Sequence, residues 1–162
     1  MKIYFDMDGV LADFNRGVSE LCHMEPLDQE NEDEESTNRL WAAVRNVDHF
    51  YDRLELMPQA LELFQYAMEI SDGNCEILSG IPKPKRGILT AGEDKIKWVH
   101  RELSPNIKVN IVYKEEKKNY CTGRDCVLID DLSGNIQSWI EQGGTGIMFR
   151  NAKQVMEALA RL

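Results

Sequence analysis

The sequence predicts an α/β protein: a doubly wound, mostly parallel sheet with a small helical cap. Three observations predict it. Short apolar runs alternate with helical periodicities along the 162 residues, as in βα units whose parallel strands carry helices on both faces. The first apolar run, Met1–Phe5, is followed at once by Asp6-Met7-Asp8-Gly9. Two carboxylates then stand at the C-terminal end of a strand, where open α/β sheets carry their sites. Between that run and the next lies a long stretch with no strand signal but with helical spacing, room for an inserted unit.

Taken in order, the strands fall at Lys2–Phe5, Cys75–Leu78, Val109–Val112, Cys126–Ile129 and Gly146–Phe149. Phe14–His23 has a helical pattern. The acidic run 28–36, which includes Glu32, lacks apolar periodicity and reads as a solvated loop or a helix start, not a metal cage. Arg39–Val47 resumes helical spacing through Leu40, Trp41 and Val44. Pro58 is suited to open a helix over Gln59–Ser71, since proline is tolerated in a first turn. Ala91–Leu103 carries Ile96, Val99 and Leu103 at helical spacing. Ser133–Gln142 places Ile136 and Ile140 on one face and is closed by Gly143-Gly144. Asn151–Leu162 forms a terminal helix. Residues 1–15 and 57–162 are therefore read as the α/β core and 16–56 as the helical cap.

Composition narrows the function. The apolar content is 43%, ordinary for a globular domain, and no apolar run approaches the ~20 residues of a membrane span. The Met-Lys start leads straight into a strand rather than a signal peptide, so a cytoplasmic protein is expected. A formal charge of −9 disfavours long nucleic acid, whose backbone needs a basic footprint. Cys22, Cys75, Cys121 and Cys126 form no CxxC pair and read as reduced, mostly buried thiols. His23, His49 and His100 are scattered and read as surface or helix residues. Oligomeric state is left open, a homo-oligomer included.

Four groups of residues follow strands or precede them: Asp6-x-Asp8, Ser79-Gly80, Lys117 with Lys118, and Asp130-Asp131. All belong to the carboxyl edge of the predicted sheet and are expected to converge there. Their types suit phosphoryl transfer. A carboxylate attacks phosphorus and divides the reaction in two. A second carboxyl protonates the leaving oxygen and then activates water. A small hydroxyl and a free N–H hold the phosphoryl oxygens, a lysine supplies charge, and further carboxylates suit Mg²⁺, a hard cation. Asp13 is either a helix cap or a supporting contact. Lys95 is read as packing on a helix surface, with the phosphate as the alternative, and Trp98 and Trp139 as core. Lys83, Lys85 and Arg86 are read as a solvated loop.

The pattern resembles the haloacid dehalogenase superfamily of phosphohydrolases, with Asp6-Met7-Asp8-Gly9-Val10, Ser79, a lysine and Asp130-Asp131 in the places of its four motifs. The closer resemblance is to 5′(3′)-deoxyribonucleotidases. It rests on Asp8-Gly9-Val10-Leu11-Ala12-Asp13-Phe14, Met57-Pro58, Asp94-Lys95-Ile96-Lys97-Trp98-Val99 and Leu128-Ile129-Asp130-Asp131 with Asn135. The resemblance implies Asp6 as nucleophile and Asp8 as acid/base, with Ser79, Gly80 and Lys117 on the phosphate. It implies Mg²⁺ on Asp6, the backbone carbonyl of Asp8 and Asp131, with Asp130 direct or through water. It implies Phe14, and more weakly Trp41 and Phe50, against a nucleobase. The expected activity is Mg²⁺-dependent hydrolysis of nucleoside monophosphates, with a small nucleotide as the partner. The alternatives are a sugar or cofactor phosphatase of the same superfamily, a polynucleotide end phosphatase, and a non-catalytic phosphate-binding module. Ser79 stands where many relatives carry threonine, Ile81–Arg86 is an unusual proline-basic loop, and Leu132 stands where relatives often carry arginine.

Overall fold

A computed structural model describes residues 1–31 and 33–162; Glu32, within the acidic run, lies outside the described residues. Five strands among them, β1 (Lys2–Phe5), β2 (Cys75–Gly80), β3 (Lys108–Val112), β4 (Cys126–Asp130) and β5 (Thr145–Met148), form one parallel sheet in the order β3-β2-β1-β4-β5. β1 is central: Phe5 is level with Ile77 of β2 and with Ile129 of β4. The chain builds outward on one side of β1 and then returns to the other. The crevice outside the carboxyl ends of β1 and β4 is thus the topological switch point.

Successive side chains point to opposite faces of a strand, and both faces here are covered. Ile3, Phe5, Val127 and Ile129 pack with α3 (Ala60–Ile70), α4 (Ala91–Glu102) and α6 (Ala152–Ala160). Tyr4, Leu78 and Leu128 pack on the other face with Ile136 and Trp139 of α5 (Ser133–Glu141). Burial on both sides explains why the strands read as continuous apolar runs. Trp98 and Trp139 are fully buried, and each satisfies its indole N–H on a carbonyl, of Leu54 at 2.8 Å and of Cys126 at 3.1 Å. All four cysteines are free thiols, with Cys75 and Cys126 buried and Cys22 and Cys121 half-buried.

The segment between β1 and β2 opens with two helices, α1 (Phe14–Cys22) and α2 (Glu34–Arg45), and a 3₁₀ turn, Phe50–Arg53. Its entry and exit lie side by side: Asp13 N–H donates to the Glu55 carbonyl and Met57 N–H to the Leu11 carbonyl, both at 2.8 Å. Asp13 caps α1 through the Arg16 N–H. α2 starts at Glu34, five residues before the helical spacing became visible. Asp33 accepts from the Ser36 N–H at 2.8 Å, and Glu34 and Glu35 occupy the first turn, where the helix dipole favours anions. α3 does not begin on Pro58. Gln59 adopts φ 59° and Ala60 is the first helical residue, so Pro58 sits in the preceding turn. No helix among the described residues is long and apolar enough to cross a membrane.

Candidate active site

β1 and β4 end side by side, so Asp6 and Asp130 meet at the switch point. The 3₁₀ turn Lys114–Tyr120 follows β3 and swings Lys117 between them. Its ammonium donates to Asp6 Oδ1 at 2.9 Å and to Asp130 Oδ2 at 2.7 Å. Lys117 is buried whereas Lys118 is exposed, so of the two lysines only the first reaches the carboxylates. Burial by itself lowers the Lys117 pKa, but Asp6 and Asp130 outweigh it and hold the ammonium above its ordinary range.

Asp130 is fully buried and its oxygens are engaged. Besides Lys117, Leu132 N–H donates to Oδ1 at 2.9 Å and the Asn135 amide to Oδ2 at 3.0 Å. Asp131 instead borders the cavity. Burial, then the charge of Asp6, pushes Asp130 up to about 6. Burial and the charges of Asp6 and Asp130 push Asp131 up to about 9. Gly9 makes this proximity possible: its φ is +80°, and a Cβ there would lie 2.1 Å from Asp131 Oδ2.

Asp8 turns the other way. Its Oδ2 accepts from Lys95 Nζ at 2.6 Å, while Oδ1 is buried with no hydrogen-bond partner among the described residues. Lys95 also donates to Ser79 Oγ at 3.0 Å and to the Gly80 carbonyl at 2.6 Å, and lies 4.5 Å from the centre of the Tyr51 ring. The expectation that Lys95 packs on a helix surface is therefore wrong. It is fully buried and belongs to the site. The signal was present in the sequence: Ala91, Asp94, Lys95, Trp98 and Val99 form the buried stripe of α4 at i, i+3, i+4, i+7, i+8 spacing. A lysine on that stripe must meet an anion or be destabilising. Asp94, on the same stripe, is held by Thr90 Oγ1 at 2.7 Å and His49 Nδ1 at 3.0 Å.

These groups open into a cavity of about 330 Å³, at the small end of ligand sites. Asp6, Asp8, Asp131 and Lys117 form its floor, Gly80 flanks them, and Phe14, Trp41 and Tyr51 form an aromatic wall. Ser79 is fully buried behind the floor. Phe50 does not reach the wall: it packs edge-on behind Phe14, ring centres 5.6 Å apart, and the unforeseen Tyr51 takes its place. Beside the cavity, Glu30 accepts from Ser133 N–H at 2.7 Å and Ser133 Oγ at 2.5 Å, tying the acidic loop to the start of α5.

Asp6, Asp130 and Asp131 offer carboxylate oxygens within 4.8 Å of one another. Around the floor, the carboxylates of Asp6, Asp8, Asp130 and Asp131 face the ammonium groups of Lys95 and Lys117. Four carboxyl groups face two ammonium groups, and such a set of oxygen donors suits a hard divalent cation that displaces their protons. The Asp8 side chain is not part of that cluster.

A central carboxylate at the switch point of a parallel sheet, a buried lysine and an acidic pair on the next strand define a phosphohydrolase of the haloacid dehalogenase superfamily, a phosphoric monoester hydrolase. More narrowly, residues 1–158 match the model of the 5′ nucleotidase, deoxy (pyrimidine), cytosolic type C family (NT5C), and the chain belongs to that family. The fold is similar to a haloacid dehalogenase-superfamily hydrolase from Ehrlichia chaffeensis (TM-score 0.56, 15% identity, 99% of this chain and 96% of that one). It is also similar to a hydrolase from Pseudomonas syringae (TM-score 0.52, 15% identity, 97% and 89% covered). No curated protein matches the chain significantly.

Proposed function

We propose that the protein hydrolyses nucleoside monophosphates, deoxyribonucleotides foremost, through an aspartyl-phosphate on Asp6. The observation that carries this reading is one cavity whose floor presents Asp6 beside Lys117 and whose wall presents Phe14, Trp41 and Tyr51. A nucleotide has the same two ends, an anion and a flat ring.

Asp6 attacks phosphorus, and the bond from phosphorus to the ester oxygen breaks. Asp8, carrying a proton, delivers it to that oxygen and the nucleoside leaves. Water then attacks the phosphoryl group on Asp6 and gives a proton to Asp8, which releases inorganic phosphate and restores both carboxyls. Lys95 holds the Asp8 carboxyl through Oδ2, and Oδ1 is left without a hydrogen-bond partner among the described residues. Lys117 fixes Asp6 in line and supplies positive charge to the phosphoryl oxygens. Mg²⁺, held by Asp6, Asp131 and the Asp8 carbonyl, would offset the repulsion between two anions. The aromatic wall orients the base and excludes water.

A panel of monophosphates assayed with Mg²⁺ tests the reading. Release of phosphate from deoxynucleotides, lost in Asp6→Asn, is the expected result. Turnover confined to sugar or cofactor phosphates would refute the nucleotide assignment. Absence of turnover on every ester, with no beryllofluoride adduct on Asp6, would refute the enzyme mechanism.

A further inference from the structure

The floor of the cavity accounts for one phosphate; its mouth carries cations that the reaction above does not use. The loop between β2 and α4 contributes Lys83, Lys85 and Arg86, and the start of the 3₁₀ turn after β3 contributes Lys114. Glu115 pairs with Lys83, which also lies 4.1 Å from the centre of the Tyr113 ring. Lys85, Arg86 and Lys114 have no carboxylate partner among the described residues. Three unpaired cations at one opening are unexpected in a chain of net charge −9.

The loop backbone and the Arg86 side chain are also held in place. Pro82 and Pro84 fix φ in the loop. Arg86 N–H donates to the Lys83 carbonyl at 2.9 Å and Gly87 N–H to the Pro84 carbonyl at 3.0 Å. Gly87 takes φ +70° and so ends the turn. Arg86 Nη1 donates to Asn38 Oδ1 of α2 at 2.6 Å. That spends one of its five N–H donors and leaves the rest of the planar fork available. The two basic segments lie against each other at Gly80, where a Cβ would be 3.4 Å from the Lys114 backbone nitrogen. A site ordered before binding does not lose that entropy on binding.

We propose that this rim binds a second phosphoryl group of the substrate, so that the preferred substrate is a nucleoside bisphosphate whose two phosphates lie on different sugar oxygens. The inference rests on the nucleotidase reading above. With one phosphate at Asp6 and the base against Phe14 and Trp41, the basic rim is the part of the same cavity lining that offers unpaired positive charge to the sugar's other phosphate. A guanidinium fork and two ammonium groups match a phosphate dianion in charge and geometry. Lys85 and Lys114 are exposed, so the second group sits at the mouth and needs little of the cavity's volume. The next linkage of a short oligonucleotide offers related chemistry with a single charge, and three cations favour the dianion.

Thymidine 5′-monophosphate, thymidine 3′,5′-bisphosphate and the 5′-phosphorylated dinucleotide are to be compared on the full chain with Mg²⁺. Binding of the same three to Asp6→Asn is read by calorimetry. The bisphosphate should show kcat/KM and affinity about tenfold or more above the monophosphate, as for one or two charge-assisted hydrogen bonds. The advantage should shrink in Lys85→Ala and Lys114→Ala, whose exposed side chains put folding at little risk, and should vanish in Lys85→Ala with Arg86→Ala. A monophosphate turned over as well as the bisphosphate overturns the inference and leaves the nucleotidase reading intact. A dinucleotide that equals or exceeds the bisphosphate overturns it as well. Loss of all turnover overturns the nucleotidase reading, and equal affinities in the binding arm then overturn the inference separately.

Discussion

At the floor of the cavity Lys117 stands between Asp6 and Asp130, and Lys95 stands beside Asp8. At its rim stand Lys85 and Lys114, both exposed, and the half-buried Arg86, none with a carboxylate partner among the described residues. Lys114 of the rim is three residues from Lys117 of the floor, yet the two regions differ in what water does to them. Buried charges must be answered by other charges, because leaving one unpaired costs several kcal/mol. Exposed charges are hydrated and screened, so they can wait for a ligand. The floor is thus a structural commitment made during folding, and the rim is a surface whose cost is small until something binds.

The largest effects should come from breaking the floor. Asp6→Asn removes the nucleophile, and kcat should fall by about a thousandfold or more, with the circular dichroism spectrum retained. Lys117→Met leaves Asp6 and Asp130 buried and facing each other. Its unfolding free energy in EDTA should drop by about 3–5 kcal/mol, and Mg²⁺ should return part of that, as urea titrations will read. Gly9→Ala forces a side chain into left-handed backbone at about 1–2 kcal/mol and displaces Asp131. Weakened Mg²⁺ affinity, larger than in any rim variant, is the calorimetric result that sharpens the comparison.

A pH effect comes next. Asp130 and Asp131 are raised above their unfolded value of 3.8, to about 6 and about 9. From pH 4 upward the native state therefore keeps protons that the unfolded chain has lost. Stability of the metal-free protein should fall as pH rises through that window. Mg²⁺ displaces the proton, so its stabilising effect should be greater at pH 8.5 than at pH 5. Equal urea midpoints in EDTA at the two pH values would contradict this. The smallest effect belongs to the rim: Lys85→Ala should change the unfolding free energy by under about 0.5 kcal/mol, and a larger loss would show that the rim, too, is structural.

Five strands, their parallel arrangement and the motif positions were legible because each depends on local pattern: a short apolar run, then helical spacing, with acidic residues at the strand ends. A helix start within the acidic run 28–36 was one of the two readings, but its exact place at Glu34 was not legible, because the first turn of α2 is set by the Asp33 cap and by charge, not by apolar spacing. Lys95 was misplaced although its position on the α4 stripe was readable. The sequence gives no sign of the partner, Asp8, which lies 87 residues away.

By itself, the sequence determined most of the apolar core and which strand ends carry carboxylates, since periodicity and side-chain polarity act over a few residues. Only the tertiary structure decided which charges meet. It set Lys117 rather than Lys118 between the two aspartates, put Tyr51 in the aromatic wall with Phe50 behind it, and gathered two basic segments at one opening. Those outcomes depend on the angles at which distant elements pack, and electrostatic pairing is a property of distance in space, not of spacing along the chain.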